Sequence, residues 1–317
     1  MLKDFIKQML SKQDFGSILS SPDLSSAIKS IVETKLGIRL YEVVRQKGYT
    51  LNEVLSSVDS YNYERIAKLR EISSKSAFVI DVFSELFDIV NAINAIFTIM
   101  SNKKPSPIFP TGIFARIDLS QVKNIEDLRN TVTRVVPQLS RLIPYIASAR
   151  TLDYTLLFNT LAFSKNYMRL DHIVRKLYGF FRDTMLLRTC MFLEKTPDTV
   201  PSILSMTRSE FMELCGLGRL GKLPQLIRDI NPLYTRFSEV LEDTYKLGRV
   251  VEAYDLGVLL YASNIVADFY QSIEQVVARM YTLYLAEAYL VKLALSSIYS
   301  GTFVEELKSI IEKWWVL

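Results

Sequence analysis

Histidine is nearly absent from this chain. His172 stands alone in 317 residues, and Cys190 and Cys215 are the only thiols, too few soft ligands for a dedicated metal site. The two cysteines lack the paired spacing of a zinc site and do not make a disulfide framework, so both are expected as free, buried thiols. Glycine (11) and proline (10) are sparse, which argues against many-turned β structure and for long helices. No two aspartates are adjacent, which removes the acidic motif that holds magnesium and diphosphate in helical prenyl transferases. Charge of one sign is also lacking: 38 basic against 34 acidic residues leave +4, not the footprint of a nucleic-acid binder. The first residues, Met1-Leu-Lys-Asp-Phe-Ile-Lys-Gln, contain no apolar core of a signal peptide, and a cytoplasmic address is expected. Long uncharged apolar runs are missing too. The best candidate span, Met280–Tyr299, carries Glu287 and Lys292 in its middle, each costing roughly 2.5–3.5 kcal/mol in a bilayer core. An apolar stretch of that kind is expected as the buried central helix of a bundle.

What is present is helical periodicity. Val79, Val82, Phe83, Leu86, Val90, Ile93, Phe97 and Met100 recur at spacings of three and four, with Asp81, Ser84, Glu85, Asp88 and Asn91 on the other face. Similar spacing runs through 24–46, 61–72, 133–149, 152–193, 233–247 and 250–299, and β-alternation is absent, so the fold class is all-α. Proline clusters near 105–110, 197–201 and 224–232 interrupt the pattern, because proline removes a donor and clashes inside a helix. Ile108-Phe-Pro-Thr-Gly, Ile203-Leu-Ser-Met-Thr and Ile298-Tyr-Ser-Gly-Thr stand at equal intervals of 95 residues, each after a long helical stretch. Capping boxes follow in the second and third, Thr207-Arg-Ser-Glu210 and Thr302-Phe-Val-Glu305, and predict a new helix at each. Twenty residues before the first two isoleucines stand Asp88 and Asp183, markers of the repeat; the third position is Ala278.

Gly216-Leu-Gly218-Arg-Leu-Gly221 matches the dinucleotide fingerprint letter for letter. The chemistry needs a strand before it and a helix opening on it. Here a helical segment precedes it, so a helix-terminating loop is expected and no cofactor is assigned. His172 lies in a helical surface run and has no catalytic partner in the sequence, so no catalytic residue is assigned and the chain is read as a non-enzyme. Trp314 and Trp315 are expected to dock on the fold or on a partner, because exposure would waste their apolar area.

The repeated pattern resembles the C-type central-stalk family of archaeal and bacterial A/V-type ATPases, related to the d-type proteins of eukaryotic V-ATPases. In that family each of three related units has a long helix carrying an acid, a basic position, and a turn into a short capped helix. Asp88-Ile-Val-Asn91-Ala-Ile with Ile108-Phe-Pro-Thr-Gly112 is similar to the first unit. Arg182-Asp183-Thr-Met-Leu-Leu-Arg188 with Ile203-Leu-Ser-Met-Thr is similar to the second, and Tyr284-Leu-Ala-Glu287-Ala-Tyr-Leu-Val-Lys292 with Ser300-Gly-Thr302 to the third. Ile93 stands where a basic residue is expected in the first unit, and Leu186 replaces the polar residue found as Asn91.

The resemblance implies units over 1–130, 131–230 and 231–317, arranged as a funnel on the cytoplasmic face of the membrane. It also implies a non-catalytic role in coupling the D and F stalk proteins to the proteolipid ring. The expected partners are those proteins, with no nucleic acid and no small-molecule substrate. Lys103, Lys104, Arg219 and Lys222 are basic, lie at helix ends, and are the expected rim contacts. A generic helical adaptor and a helical enzyme such as a prenyl transferase are the alternatives.

Overall fold

The computed structural model describes residues 6–46, 48–102, 108–117, 119, 121–135, 167–193, 208–218, 221–230 and 232–317. About 80% of the described residues are helical, with no strand among them. The described α-helices are α1 Lys12–Leu19, α2 Leu24–Lys29, α3 Lys35–Val44, α4 Leu51–Ser73, α5 Ala77–Met100, α6 Ile125–Val135, α7 His172–Leu193, α8 Arg208–Gly218, α9 Leu223–Ile230, α10 Thr235–Thr244, α11 Val250–Ile265, α12 Ile273–Ser300 and α13 Val304–Trp314. They fall into two compact units, one formed by 1–77 with 236–317 and the other by 78–235.

In the first unit the helices begin where side chains satisfy the orphan amides of the first turn. Ser11 with Asp14 and Thr50 with Glu53 form reciprocal capping boxes at α1 and α4. Ser272 caps α12, and Gly301, in the left-handed region at φ +68°, ends it. Every residue of α12 from Met280 to Val291 is buried, and α4, α11, α1 and α2 pack around the helix. The apolar segment with two internal charges is therefore a central bundle helix. Two other stretches, Leu51–Met100 and Val250–Asp268, are long and apolar enough to cross a membrane by length and composition, and 76% and 61% of their apolar windows are buried in the protein.

The tryptophans close the first unit. Trp315 is 1% exposed, stands edge-on to Phe15, and donates from Nε1 to the Leu10 carbonyl at 2.9 Å. Trp314 donates to Asp243 at 2.8 Å, and the Lys12 amide to the Leu317 carbonyl at 3.0 Å. Docking on the chain's own fold is thus the outcome for both rings.

The second unit is built around the apolar face of α5 as its periodicity predicts. Val79, Val82, Phe83, Leu86, Val90 and Ile93 are all buried, while Met100, at the helix end, is exposed. Phe83 meets Tyr178 and Phe181 edge-on, and Phe87 packs on Phe181 and Phe109. Such aromatic pairs contribute about 0.5–1.5 kcal/mol each beyond their area. Two residues of the expected polar face, Asp88 and Asn91, are buried instead, 4% and 0% exposed.

The repeat register is mixed. Ala77 and His172 open α5 and α7 at the 95-residue interval. The third register differs: Ile108 lies in a loop, while Ile298 lies inside the last turn of α12; Ile203 is outside the described residues. The expected capping box at Thr302 is absent as well. Helix α13 starts at Val304 behind Phe303, whose φ of +61° is left-handed, and no side chain caps it. The reason is local. After Gly301 the Thr302 amide turns back to the Ser297 carbonyl at 3.1 Å, and its hydroxyl pairs with Ser300 at 2.7 Å.

Candidate functional site

The polar construction of the second unit centres on Asp88. Its side chain leaves the middle of α5 and accepts from the amides of Ile113 at 3.0 Å and Phe114 at 2.7 Å, where a 3-10 turn, Phe114–Arg116, begins. One helical turn on, Asn91 accepts from the amides of Ile108 at 2.9 Å and Phe109 at 3.0 Å and donates to the Phe109 carbonyl at 3.0 Å. The Ser84 and Thr111 hydroxyls pair at 3.3 Å. Gly112 makes the approach possible. At φ +78° it occupies the region glycine favours, and a Cβ there would lie 2.2 Å from Asp88 Oδ1. The segment 108–114 is thereby clamped to α5 by side-chain groups acting as backbone partners.

Burial pushes the Asp88 carboxyl up to about 7, against the opposing pull of the Ile113 and Phe114 amides, with Glu85 adding to the rise. The second repeat marker, Asp183, is 5% exposed and accepts from its neighbour Arg182 at 2.7 Å. Arg188, the basic position of that helix, is 3% exposed. Leu186, where the first helix has Asn91, is fully buried.

A second polar seam lies in the first unit, between α4 and α12. Arg65 pairs with Glu287, which is 1% exposed and also accepts from the Leu10 amide. The guanidinium is held between the Tyr284 ring at 4.3 Å and the Tyr61 ring at 4.7 Å. Further along α12, Lys292 donates to both oxygens of Asp59, at 2.9 and 3.2 Å. Burial raises the Asp59 carboxyl and Lys292 opposes the rise. The sequence singles out Glu287 and Lys292, but their partners lie more than two hundred residues away and leave no local signal.

Of the expected rim residues, Lys222 is exposed immediately before α9. Lys103, Lys104 and Arg219 lie outside the described residues. The fingerprint glycines do not follow a strand: α8 runs through Gly216 and Gly218, and Gly221 takes φ +70° before α9 begins. The free-thiol expectation is corrected. Cys215, 4% exposed on α8, is disulfide-bonded, and the chain's one other cysteine is Cys190, on α7, the helix that packs against α8. The signal that could have suggested it is that the two cysteines lie on successive helical stretches, which commonly pack together. Among the described residues no three histidine, cysteine, aspartate or glutamate side chains converge as a metal site would require.

No protein-family model, curated protein or solved structure matches the chain.

Proposed function

We propose that this chain is the non-catalytic socket of a rotary A/V-type ATPase, seated on the proteolipid ring at the cytoplasmic face of the membrane and receiving the foot of the stalk made by the D and F proteins. The observation that carries the reading is the Asp88 clamp. A mid-helix acid followed by a turn into a short helix is the recurring element of the family that the sequence resembles, and here that acid fastens the turn to its own helix through two amides. A torque-bearing part needs helix ends and connecting turns that do not shear. Buried carboxyl-to-amide bonds supply that stiffness, because a buried amide is expensive to leave without a partner. In this reading Asp183 serves the second of three related units, over 131–230, between units at 1–130 and 231–317 arranged as a funnel. Lys222, with Lys103, Lys104 and Arg219, contributes to the polar rim of the stalk contact.

The test is binding of the purified chain to a D–F stalk subcomplex and, separately, to detergent-solubilised proteolipid ring. Saturable, salt-sensitive association with D–F is expected, weakened by charge reversal at Lys103, Lys104, Arg219 and Lys222 while helical content stays unchanged. Failure to bind either partner from any A/V-type complex, with the chain folded, would remove the proposal. Association with unrelated helical proteins in its place would favour the adaptor reading.

A further inference from the structure

Four helix ends of the first unit converge on a cavity of about 240 Å³. Its apolar lining comes from Leu51 at the start of α4, Leu247, Leu293 on α12, Leu307 on α13 and Phe303 in the turn between those last two helices. Arg249 and Glu252, at the start of α11, also line it. The volume is below the roughly 300–1,000 Å³ of sites for drug-sized ligands, so nucleotides and other large cofactors are too big.

The two charged residues give the cavity its chemistry. Among the described residues neither Arg249 nor Glu252 has a salt-bridge partner, although they stand three apart where one helix begins, the spacing at which opposite charges can pair. The Arg249 guanidinium lies instead over the Phe303 ring, 5.4 Å from its centre. Phe303 itself, immediately before α13, takes φ +61°, uncommon for a bulky side chain, and lines the cavity. A cation and an anion left apart at the edge of a small leucine-lined cavity match a molecule that carries both opposite charges on one end and an apolar group on the other. We propose that this cavity binds a free α-amino acid with an aliphatic or aromatic side chain. Arg249 receives the carboxylate, Glu252 the ammonium group, and the leucines with Phe303 take the side chain.

The site is independent of the stalk-socket reading and is tested on the isolated full chain. L-leucine and L-phenylalanine are titrated by calorimetry, beside 3-methylbutylamine, which lacks the carboxylate, and 4-methylpentanoate, which lacks the amine. Saturable binding of one or both amino acids is expected, with each single-charge analogue at least about tenfold weaker, the scale of one lost charge-assisted hydrogen bond. Arg249→Met and Glu252→Gln should each reproduce that loss for the amino acid. Arg249→Met should leave binding of 3-methylbutylamine unchanged, which a merely structural role for the arginine would not predict. Ser296→Trp, placed on the cavity lining, should abolish binding while keeping the helical spectrum. No saturable binding of either amino acid at millimolar concentration, or binding that survives Ser296→Trp, would overturn the proposal.

Discussion

The two units bury carboxylates in different company. In the second, Asp88 is satisfied by backbone amides of a turn. In the first, Glu287 is satisfied by the guanidinium of Arg65 and one amide. An amide partner is neutral and fixed in place by the turn it belongs to. A guanidinium partner is a charge, brought from a distant helix, and must itself be taken out of water. The amide-bonded acid therefore has no full charge to offset its burial and is pushed up to about 7. Asp243, near the surface of the first unit, shows the opposite limit. Burial would raise it, but hydrogen bonds from Lys246, Lys313 and Trp314 win and draw it down to about 2. Buried acids thus fasten a turn in one place and lock helices together in another, and they fail differently when altered.

The largest expected effect follows from removing one half of the charged lock. Glu287→Leu leaves Arg65 buried without its anion and should cost about 3–5 kcal/mol in chemical denaturation. Adding Arg65→Met should recover much of it, since replacing both charges by apolar groups is far less damaging than removing one.

In the second unit, Asp88→Ala strands the Ile113 and Phe114 amides and should cost about 1–3 kcal/mol per unsatisfied amide left dry. Gly112→Ala should be comparably harmful, because its Cβ meets the Asp88 carboxylate and its φ is positive. The two changes should be less than additive, since removal of the carboxylate frees the space the new methyl needs. Strict additivity in the double-mutant cycle would mean that the clamp is not the contact that excludes the methyl.

A smaller loss is expected for Trp315→Phe, about 1–2 kcal/mol, from the missing bond to the buried Leu10 carbonyl. Selective acceleration of amide exchange around residues 10–15 is the measurement that localises it.

A further effect is in pH dependence, and it has opposite signs in the two regions. The folded state raises Asp88 from 3.8 to about 7, so its contribution is fully present below pH 3.8 and is lost as pH rises to about 7. The folded state lowers Asp243 from 3.8 to about 2, so its contribution is present above pH 3.8 and is lost as pH falls to about 2. Relative to Asp88→Asn, the native chain should lose ground as pH rises from about 4 to about 7. Relative to Asp243→Asn, it should lose ground as pH falls from about 4 to about 2. Slopes of the same sign in both pairs would contradict the contrast between amide-bonded and charge-bonded acids.

The helices are legible in the sequence because their signal is local: the i, i+3, i+4 pattern of Val79 to Ile93 gives both the element and its buried face. Asp88 is legible as a marker of the 95-residue interval, placed on the polar face of its helix. Its role is not, because the amides it meets belong to a segment beyond a proline-rich stretch, whose path no local pattern encodes. Thr302 shows the converse. Its spacing to Glu305 satisfies a capping box, but two left-handed residues, Gly301 and Phe303, turn the chain first and displace the helix start. The Arg65–Glu287 and Asp59–Lys292 pairs depend on which helices pack together, a tertiary fact. Cys215 escapes for the same reason: a thiol in a helix reads as a small buried hydrophobe until the neighbouring helix is in place.

The socket reading is tested most directly in inverted membrane vesicles carrying the assembled rotary complex, stripped of this chain and then given it back. ATP-driven ion uptake should be absent in stripped vesicles while ATP hydrolysis by the headpiece persists, and adding the native chain should restore uptake. Vesicles that pump equally well with and without the chain would contradict the account.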